Sequence, residues 1–140
     1  MGLVYEEITL KNAGDVIMAN RGIIHEPEIR QTTITAMVDT GAGTLVITEA
    51  VRQQLGLDVI AERPATLAND TREMCKITEP VEVHWNNRFT AVSALVVSGG
   101  GEVLLGAIPL EGLDLMVDPT RQKLVGAHGD EVVYIICKGV

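Results

Sequence analysis

The sequence predicts an all-β domain carrying one or two short helices. Three observations point there. Short apolar or β-branched runs recur along the chain, several of them alternating, and most meet Asn, Asp, Gly or Pro at one end or both. Fourteen glycines supply the turns that a chain of short strands requires. One stretch with a clear helical stripe, Ile47, Val51 and Leu55, is brief and ends at Gly56.

With 140 residues, the chain is long enough to bury a core and short for two, so residues 1–140 read as a single domain. Aromatic residues are only 3%, which leaves Val, Ile, Leu, Ala and Met to build that core. The net charge of -8 and the lack of a Lys/Arg cluster argue against a nucleic-acid partner. Cys75 and Cys137 belong to no CxxC pair, so they read as reduced, partly buried thiols and not as metal ligands or a disulfide. The start of the chain has neither the basic opening nor the apolar core of a signal peptide. The longest apolar run, Val132 to Cys137, is too short to cross a bilayer. The expectation is a soluble, cytoplasmic protein with no membrane partner.

Taken in order, Leu3 to Leu10 reads as a strand with Val4, Ile8 and Leu10 on one face and Glu6 interrupting it. Lys11 to Asp15 has turn chemistry, and Val16 to Ala19 suits a second short strand. Ile23 to Arg30 reads as a loop. Gln31 to Val38 alternates Thr33, Thr35 and Met37 against Ile34, Ala36 and Val38, as a strand should. Another strand runs from Thr44 to Ile47, and Thr48 is placed to cap the helix that follows. Asn69-Asp70 sits between two extendable flanks as a hairpin tip, and Asn86-Asn87 turns a second hairpin, Val81–Trp85 with Phe89–Val97. Ser98 to Gly101 is a loop. Val103 to Leu105 is a buried strand ending at Gly106, and Ala107 to Leu113 suits a short helix with Pro109 in its first turn. Leu115–Val117 and Lys123–Val125 pair across the turn Asp118–Arg121. Val132 to Cys137 is apolar on both alternations, as a strand would be if it were buried on both faces or covered by a partner.

Within this order, Ala36 to Ile47 stands out. An apolar run carries one acidic residue, Asp39, into a Thr-Gly turn, and a second apolar run leaves it. Burying an unpaired carboxylate is costly, so such a residue is paired, hydrogen-bonded or put to use. The bland reading is a turn-capping aspartate.

Val38-Asp39-Thr40-Gly41-Ala42 with Thr44, the downstream Leu104-Leu105-Gly106, and Leu113 to Pro119 followed by Lys123-Leu124-Val125 resemble the retropepsin-like aspartic proteases. The likeness is to their small single-domain prokaryotic members and spans about Gln31 to Val125. It implies a closed or nearly closed β-barrel of the acid-protease type, with one or two short helices and a flap hairpin over the active site. Asn69-Asp70 falls where the flap tip should be. The family usually has a glycine at that tip, and this chain has none between Gly56 and Gly99.

Proteolysis by this family needs two carboxylates sharing a proton. Asp15, Asp58, Asp70, Asp114, Asp118 and Asp130 all lack a following Thr/Ser-Gly, so the second carboxylate is expected from a second copy, and a monomer should be inactive. The resemblance thus implies a homodimer acting on a peptide or protein substrate, without a metal or organic cofactor. It makes Asp39, Thr40 and Gly41 catalytic, with Thr40 linking the two turns. Ala42, Gly43, Ala68, Asn69 and Asp70 would hold substrate, and Leu104, Leu105 and Gly106 would support the site. The rival expectation is a peptide-binding or dimerisation module of the same fold with weak or no catalysis, motivated by the flap without a glycine; a purely structural β-domain is the third. His25, His84 and His128 read as solvated or satisfied histidines, Trp85 as a packing residue, and Asp114 and Asp118 as turn aspartates.

Overall fold

The computed structural model describes residues 3–67 and 69–136. In chain order the first half gives β1 (Val4–Asn12), α1 (Ala13–Asn20), a 3-10 turn at Glu26–Glu28, β2 (Gln31–Val38), β3 (Leu45–Thr48), α2 (Glu49–Leu55) and β4 (Val59–Thr66). The second half gives β5 (Arg72–Trp85), β6 (Arg88–Val97), β7 (Leu104–Leu105), α3 (Ala107–Gly112), β8 (Leu115–Asp118) and β9 (Lys123–Gly126).

Seven strands share one sheet in the order β1-β2-β7-β3-β6-β5-β4. A further pairing of β1 with β5 closes six of them into a ring and leaves β4 attached outside it. The fold is therefore mostly strands with few short helices, as the sequence predicts. The apolar residues that alternate along the strands meet inside the ring: Ile8 and Leu10 of β1, Ala36 of β2, Leu45 and Ile47 of β3, Val81 and Val83 of β5. Each fully buried Leu or Ile contributes about 1.5–3 kcal/mol.

Glu6 shares the inward alternation of Val4, Ile8 and Leu10, and its charge is met there. One carboxylate oxygen accepts the Trp85 indole N–H at 3.2 Å, and the other accepts the Leu124 amide at 3.0 Å. Glu6 thus joins β1 to the β5–β6 turn and to the separate β8–β9 hairpin.

Three departures from the sequence reading have local causes. The strand expected at Val16–Ala19 is part of α1, because Asn12 ends β1 and caps a helix by accepting the Asp15 amide at 3.1 Å. The short helices number three among the described residues, not one or two. Of the strand expected at Val132–Cys137, the described part, Val132 to Ile136, adopts no strand, and Ile135 and Ile136 are exposed; Cys137 lies outside the described residues. That segment is tied down instead by the Val133 amide, which donates to Asp114, and by the Tyr134 hydroxyl, which donates to the Gly112 carbonyl. The Val133 amide, with His128 beside it, also holds the Asp114 carboxyl below the usual carboxylate range.

Elsewhere the local chemistry acts as read. The Thr48 hydroxyl accepts the Val51 amide and starts α2; Val51 and Leu55 are buried, and Gly56 ends the helix at φ 63°. Cys75 is a buried free thiol, raised above the ordinary thiol range by desolvation and the nearby Glu73 charge. No helix among the described residues is long and apolar enough to cross a membrane.

Candidate active site

Asp39 stands where β2 leaves the sheet. The two residues of β7 thread between β2 and β3, pairing parallel with Met37 and Val38 and antiparallel with Leu45 and Val46. The two arms of the Asp39 turn are thereby held apart at a fixed spacing by a strand from far along the chain. The Asp39 amide donates to the Leu105 carbonyl at 3.0 Å, and the Ala42 amide closes the turn on the Asp39 carbonyl at 3.1 Å.

The start of α3 seals this arrangement from behind. The Ala107 amide donates to the Ala42 carbonyl at 2.9 Å, and the Ile108 amide donates to the Gly43 carbonyl at 3.2 Å. Gly106 makes the approach possible, since a Cβ there would lie 2.2 Å from the Thr44 carbonyl oxygen and 2.6 Å from that of Ala42. Leu105 is fully buried beneath the turn, while Leu104 faces the cleft in front of it.

The carboxylate itself is half-buried. Oδ1 accepts the Gly41 amide at 2.9 Å, and Oδ2 accepts no hydrogen bond among the described residues. Thr40 is exposed at the apex of the turn and opens onto a different surface, a groove of about 340 Å³ bounded by Leu3, Val4, Val38, Val117 and Pro119. Among the described residues, the site therefore offers a free carboxylate oxygen on one side and an unengaged hydroxyl on the other.

In front of Asp39 lies a cleft of about 660 Å³. Gly41, Ala42 and Gly43 form its floor, Val46, Leu95, Val97 and Leu104 its apolar wall, and Ala65 to Leu67 with Asp70 its roof. The roof is the β4–β5 hairpin. β5 pairs with β1 and β6 inside the ring, passes an irregularity between Ile77 and Pro80, and continues outward paired with β4. At that irregularity the fully buried Thr78 accepts the Ala94 amide at 3.0 Å, so the base of the hairpin is anchored while its tip reaches over the cleft.

At the tip, the Leu67 amide donates to the Thr71 carbonyl at 2.8 Å and the Asp70 amide donates to Leu67 at 3.0 Å. Asp70 adopts φ 64°, the conformation for which a glycine is the usual choice; Asp is among the few other residues that tolerate it. The missing tip glycine is thus replaced in conformation but not in charge. Asn69 faces the turn, where its Oδ1 accepts the Thr71 amide and hydroxyl, and it does not line the cleft. Ala68 lies outside the described residues. Of the residues singled out in the sequence, Asp39, Gly41, Ala42, Gly43, Asp70 and Leu104 meet around one cleft, Leu105 and Gly106 lie behind it, and Thr40 and Asn69 point elsewhere.

Arg88 is among the polar centres that the sequence reading missed. It is buried at the start of β6, donates to the carbonyls of Leu113, Asp114 and Gly129, and lies 5.9 Å over the Trp85 ring. Its signal was present, because Arg88 shares the inward alternation of Ala94 and Val96. It ties the start of β6 to the Leu113–Asp114 turn and to Gly129.

Comparison with known proteins bears on the family and the fold. The family model for aspartyl protease matches residues 26–108, which hold the Asp39 turn, the flap hairpin and Gly106. No functionally curated protein matches the chain. Among solved structures, the retroviral protease-like domain of Ddi1 from Leishmania major shares the fold with a TM-score of 0.55 at 15% identity, covering 89% of this chain and 88% of its own. A retropepsin-like aspartic protease from Rickettsia conorii aligns with a TM-score of 0.45 at 20% identity, covering 84% and 89%. EIAV protease, solved with the inhibitor HBY-793, aligns with a TM-score of 0.45 at 23% identity, covering 57% and 76%. With a matching family model over more than half its length and a retropepsin-like fold, this chain belongs to the aspartyl protease family.

Proposed function

We propose that the chain is an aspartic endopeptidase that works as a homodimer, each subunit supplying one Asp39. The observation that carries this reading is the half-finished site: one Asp-Thr-Gly turn, rigidly built, with a free carboxylate oxygen facing an open peptide-sized cleft. Across a two-fold axis the two carboxylates would lie within a few ångströms and could not both ionise. One would stay protonated and polarise the scissile carbonyl, and the other would take a proton from the attacking water; the pair would titrate as a unit.

The remaining roles follow from position. The exposed Thr40 hydroxyl would bond across the axis to the partner turn, and the apolar groove beside Thr40 would be covered by the second copy. The Gly41 amide orients the carboxylate. Substrate would lie extended between the floor at Ala42 and Gly43 and the flap residues Ala65 to Leu67 and Asp70, bonded through its main chain like an added strand. Leu104, Leu105 and Gly106 hold the floor in place.

A peptide library incubated at mildly acidic and neutral pH with wild type and Asp39→Asn tests the reading, with sedimentation at micromolar concentration alongside. Cleavage by wild type alone, from a dimer, supports it. Binding by both proteins without cleavage would replace it with a peptide-binding module, and a strictly monomeric active protein would rule out the shared dyad.

A further inference from the structure

We infer that Asp70 makes this cleft selective for peptides carrying a lysine or arginine side chain next to the scissile pair. The inference rests on the cleft being the substrate site proposed above. Three observations support it. Asp70 lines the cleft from the flap while Asp39 lines it from the floor, and no Lys or Arg lines it among the described residues. Apart from Thr44 and Thr66, the rest of the lining is glycine or apolar, chiefly Val46, Leu95, Val97 and Leu104, which suits aliphatic side chains at the scissile bond but offers nothing to an acidic one. The Asp70 side chain makes no hydrogen bond or ion pair among the described residues, because its neighbour Asn69 supplies the side-chain bonds that close the turn. The tip therefore divides its labour: Asn69 holds the conformation, and Asp70 presents a charge to whatever lies below.

Two-fold symmetry doubles the effect. Each flap tip brings its own Asp70 over the same bound peptide, and a dyad with a single shared proton adds a negative charge from the floor. A cleft closed over peptide excludes water, so these charges act at a lower effective dielectric than they would on an open surface. A cationic side chain beside the scissile bond relieves their mutual repulsion, and a carboxylate there adds to it. The overall charge of -8 favours the same peptides at longer range.

The test uses the full chain and peptides with an aliphatic scissile pair flanked by Lys, Gln or Glu, compared as ratios so that any change common to all of them cancels. Wild type should cleave the Lys peptide with a kcat/KM about tenfold above that of the Glu peptide at low salt, the gap narrowing as salt rises. Asp70→Asn should flatten the ratio, and Asp70→Lys should reverse it. In parallel, binding of the same peptides to Asp39→Asn and to Asp39→Asn/Asp70→Asn is read by fluorescence anisotropy. If no peptide is cleaved but Asp39→Asn still binds Lys over Glu and the double variant does not, the proteolytic reading fails and the charge selection stands. An equal ratio in wild type, a ratio unmoved by Asp70→Asn, or no binding to the Asp39→Asn protein and no cleavage overturns the selection.

Discussion

Asp15 and Asp39 start from the same difficulty and end differently. Each is an acidic residue pressed against an apolar run, Val16 to Ala19 in one case and Ala36 to Val38 in the other. Asp15 is almost fully buried, and both its oxygens are taken: Arg30 donates to Oδ2 from its amide at 3.0 Å and from Nε at 2.8 Å, and to Oδ1 from Nη2 at 2.9 Å. Asp39 is half-buried and has one oxygen held by a backbone amide. The difference lies in what the fold places nearby. The loop before β2 returns a guanidinium to Asp15, whereas the β7–α3 junction braces the Asp39 turn through backbone hydrogen bonds. One carboxylate is spent on structure, and the other is fixed in position and left chemically open.

The sharpest way to break this comparison is to neutralise each in turn. Asp39→Asn should lower peptide cleavage by about a thousandfold or more while shifting the thermal midpoint by no more than about 2 °C. Asp15→Asn should do the reverse, lowering the midpoint while the folded fraction keeps its kcat. Loss of stability in the first variant, or of catalysis in the folded second, would erase the distinction.

Next in size is Gly106→Ala, which presses a methyl group onto two backbone carbonyls that cannot move without opening the Asp39 turn. A loss of about 3 kcal/mol or more in urea unfolding is expected. If the variant folds with near-native stability, the turn is more pliant than its hydrogen bonds indicate.

Asp15→Ala should cost somewhat less, about 2–3 kcal/mol, because it strands Arg30, whose side chain is half exposed and can find water. The pH dependence has a definite sign. The Arg30 hydrogen bonds hold the Asp15 carboxyl below its ordinary value of 3.8, against the opposing effect of its burial. Its contribution is therefore complete above that value and is lost as pH falls through the folded-state value. Urea midpoints of wild type and Asp15→Asn should differ at neutral pH and converge below pH 3.8. Smallest is Thr48→Ala, which removes the α2 cap, a bond to the Val51 amide and to neither carboxylate, and should cost about 1 kcal/mol without changing peptide cleavage.

What could be read in advance follows the same division. The strand delivering Asp39, both ends of α2, the flap hairpin and the Asn86-Asn87 turn were legible because each is written in contiguous residues: an alternation, a cap, a turn dipeptide. Val16 to Ala19 misled because a short apolar run fits a strand or a helix equally well, and the deciding residue, Asn12, lay outside it. Val132 to Ile136 misled because apolar content does not say what covers a segment. The Arg30 and Arg88 centres were missed because their partners come from distant stretches. The turn carrying Asp39 could be found, but the means by which β7 and Gly106 rigidify it could be seen only in three dimensions.

The threading of β7 between β2 and β3 has a consequence in time. As the chain emerges from the ribosome, Asp39 appears early, yet the Leu105, Ala107 and Ile108 groups that brace its turn are made long afterwards. Contacts so far apart in sequence form late, after the local hairpins. A growing chain therefore carries its acidic residue on an unbraced loop, and the braced turn arises only when synthesis has passed residue 108 and the strand has slid into its slot. The order of translation delays the finished turn.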